Sequence, residues 1–367
     1  MNIPSHYQSS FFRALWARAD VDLAVRYFHI SSDHRQKEGW GLHTLQPYER
    51  SIEGLNTLEA MLETVPDWRK RIHVINSNFS KGLVDFFCRE KIRWVHWSEM
   101  PGIRLAEAFG YRIWLYHLLN PLMLLMKYRE GRCIKKNAMG AFAQGSLAER
   151  SFRFMGVPQK KIAPLYYSPD PLITTSPCAQ VMEFTRGRRA FLYVGSLCRR
   201  KGIDVLLHAF SKLYTSDWCL VLCGFDTESG HYASLAVQLG IEKRVLFLGA
   251  YPAEKISEVY GASDVFILPS RFDGWGAVLN EASSLGLPLI ATDMCGAAWH
   301  VIKNGKNGFR VRADSISELQ QAMELYVKNP SLIKKHGEIS KSVFFDEFSP
   351  DKNAERLLAA LRYWNQK

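Results

Sequence analysis

The sequence has no CxxC pair among its seven cysteines, an odd count in 367 residues that argues against a disulfide framework or a zinc site. The opening MNIPSHYQSSFFRAL lacks the basic stretch and apolar core of a secretory leader, so none is expected. Cys219 and Cys223 flank a strand-like run and read as reduced core residues, which makes the cytosol the expected compartment. Long apolar runs are missing too. The longest, IWLYHLLNPLMLLM (Ile113 to Met126), is broken by His117, Asn120 and Pro121 and is shorter than the roughly 20 residues of a spanning helix. No GxxxxGK[ST] occurs, which excludes nucleotide hydrolysis on a P-loop. Neither a nucleic-acid signature nor a tandem repeat is present, so no nucleic-acid partner is expected.

What is present is a globular composition, 47% hydrophobic, in a chain longer than the ~250–300 residues at which single cores stop growing. The net charge of +11 is uneven: residues 1–188 hold 26 Lys+Arg against 17 Asp+Glu, and residues 189–367 hold 21 against 19. A basic first half suits an anionic partner, or serves only solubility. Cations flank the apolar run: Arg104 and Arg112 before it, Lys127, Arg129, Arg132, Lys135 and Lys136 at its end and beyond. An interfacial helix on an anionic membrane surface fits this pattern. A buried helix kinked at Pro121 fits it as well.

The second half shows the clearer organisation. Short apolar runs recur, FLYVG (191–195), CLVLCG (219–224), VLFLG (245–249), VFILPS (265–270) and PLIAT (288–292), with amphipathic stretches such as Ile203 to Tyr214 between them. Continuous apolar strands alternating with helices mean a parallel sheet covered on both faces, with its ligand beyond the carboxyl ends of the strands. The first half repeats the pattern with strands in 21–30, 71–76, 92–97 and 139–145 and helices near 53–65, 80–90, 103–129 and 146–156. The expected division is an N-terminal domain over 1–167, a proline-containing linker over 168–189, a C-terminal domain over 190–348, and a last helix in 349–367 that crosses back to the first domain.

Two motifs carry candidate chemistry. In YVGSLCRRKG (Tyr193 to Gly202) a strand ends at Gly195, and Arg199, Arg200 and Lys201 precede a helix. A glycine that lets a ligand approach, with cations near a helix start, suits a phosphate. A solvated turn is the plainer reading of that run taken alone. In PSRFDGWGAVLNE, Asp273 and Glu281 lie eight positions apart around Gly274 and Gly276. A helix over Trp275 to Leu285 would turn the N–H groups of Trp275, Gly276 and Ala277 outward as an anion seat. Carboxylates beside an anion repel it, so they bind other parts of the ligand, and sugar hydroxyls are the fitting donors. A phosphate between two sets of hydroxyls describes a nucleotide sugar. The plainer reading makes Asp273 a helix cap and Glu281 an exposed helix residue.

In the order and spacing of these pieces, from FLYVGSLCRRKGIDVLLHAF to DGWGAVLNEASSLGLPLIATDMCGAAWHVIKNGKNGFRV, the second half resembles the retaining, GT-B-fold glycosyltransferases of family 4, and DGWG resembles a subgroup building bacterial surface polysaccharides. The resemblance implies an α/β fold with two Rossmann-like doubly wound domains facing across a cleft. It assigns the transferred sugar to Asp273, the ribose to Glu281, and the donor diphosphate to Lys201 with Gly195. Ser196 stands where an arginine is usual, and Arg199 or Arg200 supplies that charge; backbone from Gly249 to Tyr251 meets the base. NIPSHYQSSFFRAL resembles the loop and helix that follow the family's first strand, so the N-terminal domain is expected to lack that strand, either because the true start lies upstream or because the domain is unusual. Where relatives carry a His-Glu pair, WVHWSEMPG reads Ser98-Glu99, with His96 on the face of Ser98. His96 and Glu99 are therefore catalytic candidates, a buried structural histidine being equally compatible.

The expected activity is transfer of a sugar from a nucleoside-diphosphate sugar to a lipid-linked or glycan acceptor, with retention, at the inner face of the cell membrane. Lys201, Arg200 and the helix N-terminus expected at Trp275 would stabilise the leaving diphosphate. Asp20-Val21-Asp22 spells DxD but precedes its strand, so it reads as a turn; no metal or cofactor is expected. Two other readings stay open. One is a nucleotide-sugar epimerase of the same fold, which acts on the donor alone. The other is a non-catalytic nucleotide-sugar-binding partner, which binds without turnover.

Overall fold

The computed structural model describes residues 4, 6–30, 44–75, 81–98 and 121–366. The chain divides into two compact units. One holds the described residues up to Pro169 and the terminal stretch from Pro350; the other holds Asp170–Ser349.

The second unit is built on six parallel strands: β7 (Arg189–Val194), β8 (Trp218–Cys223), β9 (Val245–Gly249), β10 (Val265–Leu268), β11 (Leu289–Thr292) and β12 (Gly308–Val311). Their order is β12-β11-β10-β7-β8-β9. The chain starts in the middle at β7, moves out one way, then returns to β10 and moves out the other. This is a doubly wound sheet whose switch point lies between β7 and β10, where open α/β sheets seat ligands. Every residue of β8, β10 and β11 is buried, which is why these strands read as continuous apolar runs.

The first unit has two parallel sheets, β1 (Val25–Tyr27) with β2 (Glu49–Ser51), and β3 (His73–Ile75), β4 (Trp94–Ser98), β5 (Gly140–Ala143) and β6 (Ile162–Pro164) in sequential order. Among the described residues the unit opens on the helix His6–Trp16, which packs against the terminal helix Pro350–Asn365. One core joins both sheets to these helices, through Phe11, Val25, Tyr27, Val95, Phe142, Leu357 and Trp364. Asp22 pairs with Arg71 and Asp20 with Arg362 at 2.7 Å, so both acids of the DVD run hold arginines.

Several expectations are corrected. The stretch 168–189 is not all linker: the division falls after Pro169, and Ala179–Thr185 is a helix with Val181 and Thr185 buried. Its apolar positions are too few to show a period in sequence. The helix expected near 103–129 is described only as Pro121–Asn137, residues 101–120 lying outside the described residues. The kink expected at Pro121 involves the turn before it, which lies outside the described residues. Strands β2, β6 and β12 were not foreseen, being short and of mixed polarity (ERS, IAP, GFRV). Among the described residues no helix is long and apolar enough to cross a membrane.

Candidate functional site

Two loops leave the sheet at the switch point. The first follows β7. Tyr193 is buried and donates its hydroxyl to the Ser196 carbonyl at 2.9 Å, which fixes the turn after Gly195. Burial pushes the Tyr193 phenol well above its ordinary range, so it remains a donor. Arg199–Lys201 then form one 3-10 turn ending at Gly202, which opens the helix Ile203–Ser211. Gly202 has φ +70°, and a Cβ there would lie 2.2 Å from the Pro269 carbonyl oxygen at the end of β10. The two loops touch backbone to backbone. Gly202→Ala is expected to cost roughly 2 kcal/mol or more, from positive φ and the clash together; denaturant unfolding measures it, and a loss within experimental error would show that the loops part readily.

The second loop follows β10. Asp273 donates its N–H to the Met294 carbonyl at 3.0 Å and accepts from the Gly296 N–H at 3.1 Å. Its carboxylate takes a hydrogen bond from Lys201 Nζ at 2.5 Å, both side chains being 14% exposed. Two residues 72 positions apart are thus a contact pair at the switch point. Arg200 donates to the Phe272 carbonyl at 3.1 Å. Arg199 is exposed.

The expected helix over Trp275 to Leu285 begins at Val278 and ends at Ser284. Trp275 turns its indole inward instead: the ring is 1% exposed, donates to Asn280 Oδ1 at 2.9 Å, and stacks on His300. Gly276, at φ +88°, makes the reversal between the loop and the helix. Gly274 and Ala277 are buried beside it. Glu281 is not an exposed helix residue. It is 4% exposed and accepts the Tyr260 hydroxyl at 2.7 Å, Tyr260 lying near the end of the helix Ile256–Gly261. At the end of β9 the Gly249 carbonyl accepts from the Gly224 N–H at 2.8 Å, and the Tyr251 hydroxyl donates to Glu258 at 2.8 Å.

Sequence reasoning missed Arg271. Its guanidinium donates to both Asp204 oxygens at 2.7 and 2.6 Å, to Asp314 Oδ1 at 2.5 Å and to the Arg199 carbonyl at 2.7 Å. Its own N–H donates to the Arg200 carbonyl at 2.9 Å. One side chain therefore binds the cationic turn to the acidic loop and holds Lys201 beside Asp273. A planar fork with several fixed donors suits this task, where a lysine offers a single point. An arginine next to an acidic motif carries no sequence signal of such a role.

In the first unit His96 lies on β4, 1% exposed, its ring edge-on to Phe152 at 5.3 Å. Among the described residues neither ring nitrogen has a hydrogen-bond partner. Glu99 lies outside the described residues. Burial pushes the imidazole down to about 4. The unfolded chain binds a proton near 6.5 that the folded chain refuses, so stability from this group is complete above that value. Below it stability is expected to fall by about 1.4 kcal/mol per pH unit down to about 4. Urea unfolding at pH 7 and pH 5 of the wild type and His96→Leu measures this. An acid limb unchanged in the variant would assign the loss to other groups.

Residues 180–343 match the model of the family Glycosyl transferases group 1. An uncharacterized glycosyltransferase of Haemophilus influenzae is 31% identical over 146 residues, 39% of this chain and 41% of that protein. The curated relatives matched are covered over only 32% to 59% of their own length. Among solved structures, sucrose-phosphate synthase from Thermosynechococcus elongatus superposes with TM-score 0.73 at 18% identity, over 99% of this chain and 98% of that one. Anabaena HepE in complex with UDP and glucose gives 0.74 at 14% identity, over 99% of each chain. At such identities the likeness shows the fold: the chain is α/β with two Rossmann-like domains of the GT-B type.

Proposed function

We propose that this chain, whose second unit carries a group 1 glycosyltransferase segment, moves a sugar from a nucleoside-diphosphate sugar to a glycan or lipid-linked acceptor in surface-polysaccharide synthesis. The observation that carries the reading is the Lys201–Asp273 contact at the β7/β10 switch point, within the matched segment. HepE, of the same fold, is described with UDP and glucose bound, which supports a nucleoside-diphosphate donor.

A nucleoside diphosphate leaves readily once its charge is met. In this mechanism Lys201, Arg200 and the turn around Gly276 face the diphosphate as the C1–O bond breaks, and fixed cations there act where negative charge develops. Asp273 exchanges its contact with Lys201 for hydroxyls of the transferred sugar, and Glu281, oriented by Tyr260, accepts from the ribose. Backbone near Gly249 and Tyr251 meets the base, and Ser196 lines the diphosphate turn. Attack on the face the diphosphate leaves gives retention, the departing phosphate taking the acceptor proton. No step calls for a metal or other cofactor.

Incubating the chain and bacterial membranes with a panel of nucleotide sugars tests the reading. Release of nucleoside diphosphate together with a labelled glycan or lipid supports it. Isomerisation of a nucleotide sugar without acceptor would replace it with an epimerase, and donor binding without turnover across the panel with a binding protein.

A further inference from the structure

The helix Pro121–Asn137 is amphipathic in the wrong sense for a helix facing water. Leu122, Leu125 and Met126 are 66%, 56% and 53% exposed, while Lys127 is only 7% exposed. Steps of three and four residues put Leu122, Leu125, Met126 and Arg129 on one face. Lys127, Gly131 and Ile134 are buried on the opposite face. Exposed Tyr128 extends the apolar surface to Phe154, 50% exposed, at a ring distance of 6.0 Å. Exposed cations adjoin it: Arg129, Arg132, Lys135 and Lys136 on the same helix, and Arg153 beside Phe154. The helix contributes one acid, the half-buried Glu130.

A contiguous apolar surface of this kind marks an interaction site, and its ring of cations selects an anionic partner. A second copy of this chain, at net charge +11, would set cation against cation. Leucine, methionine and tyrosine side chains backed by arginines and lysines suit the boundary between headgroups and acyl chains. We infer that Leu122, Leu125, Met126, Tyr128 and Phe154, with Arg129, Arg132, Lys135, Lys136 and Arg153, form a surface that docks the first unit on an anionic lipid bilayer. The inference is independent of the transfer reading, because docking is measured without a nucleotide sugar.

The test is cosedimentation of the whole chain with phosphatidylcholine vesicles, with and without phosphatidylglycerol. Association is expected to be at least about tenfold tighter with the anionic lipid and to weaken as salt rises. Arg129→Glu with Arg132→Glu is expected to lower it about 25-fold or more, roughly fivefold per charge lost. Leu125→Glu with Met126→Glu is expected to lower it at least about tenfold by removing the buried apolar part. All four positions are exposed and outside the donor site, so release of nucleoside diphosphate from a nucleotide sugar is expected to stay unchanged. Hydrogen exchange on the wild type needs no variant: vesicles are expected to protect amides within 121–137. Equal association with both vesicle types, unchanged binding in both double variants, or protection confined to other segments overturns the inference. So does a dimer in solution that the same variants dissociate.

Discussion

Lys201→Ala is expected to lower the rate of sugar transfer about 100-fold, the loss typical when one preorganised donor is removed from a developing oxyanion. Two effects combine. The leaving diphosphate loses the cation nearest Asp273, and Asp273, only 14% exposed, loses its partner. The remaining carboxylate then repels the phosphate that the lysine would have met. Asp273→Asn keeps the size and one hydrogen-bond acceptor but removes the charge. It is expected to cost about tenfold or more, since charged acceptors bind hydroxyls roughly twice as strongly as neutral ones. Both effects are read as kcat/KM against nucleotide sugar, with thermal unfolding to confirm a folded chain. Transfer at the wild-type rate in both variants would remove the pair from the mechanism.

Arg271→Met is expected to have the next largest effect, on stability and donor binding together. Hydrogen bonds to charged groups contribute about 1.5–3 kcal/mol each where buried. Asp204 and Asp314 are 33% and 48% exposed, so solvent screening reduces the expected net loss to roughly 2–3 kcal/mol. For a unit of this size that is a fall in Tm of about 5–10 °C. Because Arg271 joins the turn of Lys201 to the loop of Asp273, the KM for donor is expected to rise about tenfold while kcat falls less. Arg271→Lys keeps the charge without the fork and is expected to recover part of the stability and little of the donor affinity. A variant with wild-type Tm and KM would show that the loops hold each other without the clamp.

The clamp also has a pH signature. Burial acts to raise the Asp204 carboxyl, but its hydrogen bonds and charge contact with Arg271 outweigh that and hold it below the usual carboxylate range. A depressed folded value stabilises above the unfolded pKa and is lost as pH falls through the folded value. Wild-type stability is therefore expected to drop more steeply below about pH 4 than that of Arg271→Met.

Much of the second unit was legible because burial on both faces writes the central parallel strands as unbroken apolar runs, and the edge strand β9 is as apolar although only its first residue is buried. FLYV, CLVLC, VLFLG, VFIL and LIAT lie in β7 to β11. The eight-residue interval between Asp273 and Glu281 drew attention to the loop after β10 for the same local reason, a strand end followed by glycines and a helix. The N-terminal unit was harder: its strands are short, and β2 reads ERS, which no period distinguishes from a turn. Trp275 also misled, since an indole looks like a helix residue until its partner Asn280 is seen holding it in the turn before the helix.

The succession of β7 to β11 along the chain and their parallel direction are written in local patterns of polarity, and the sequence alone determined these. Which side chains meet at those ends depends on distances between segments 67 to 75 positions apart, as with Arg271 to Asp204 and Arg189 to Asp264. Tertiary structure decided that Lys201 touches Asp273, that Tyr260 holds Glu281, that His96 is enclosed, and that a lysine turns inward where leucines turn out. Polarity along a chain records whether a residue is buried. It does not record the neighbour, because contact is set by how the whole sheet winds.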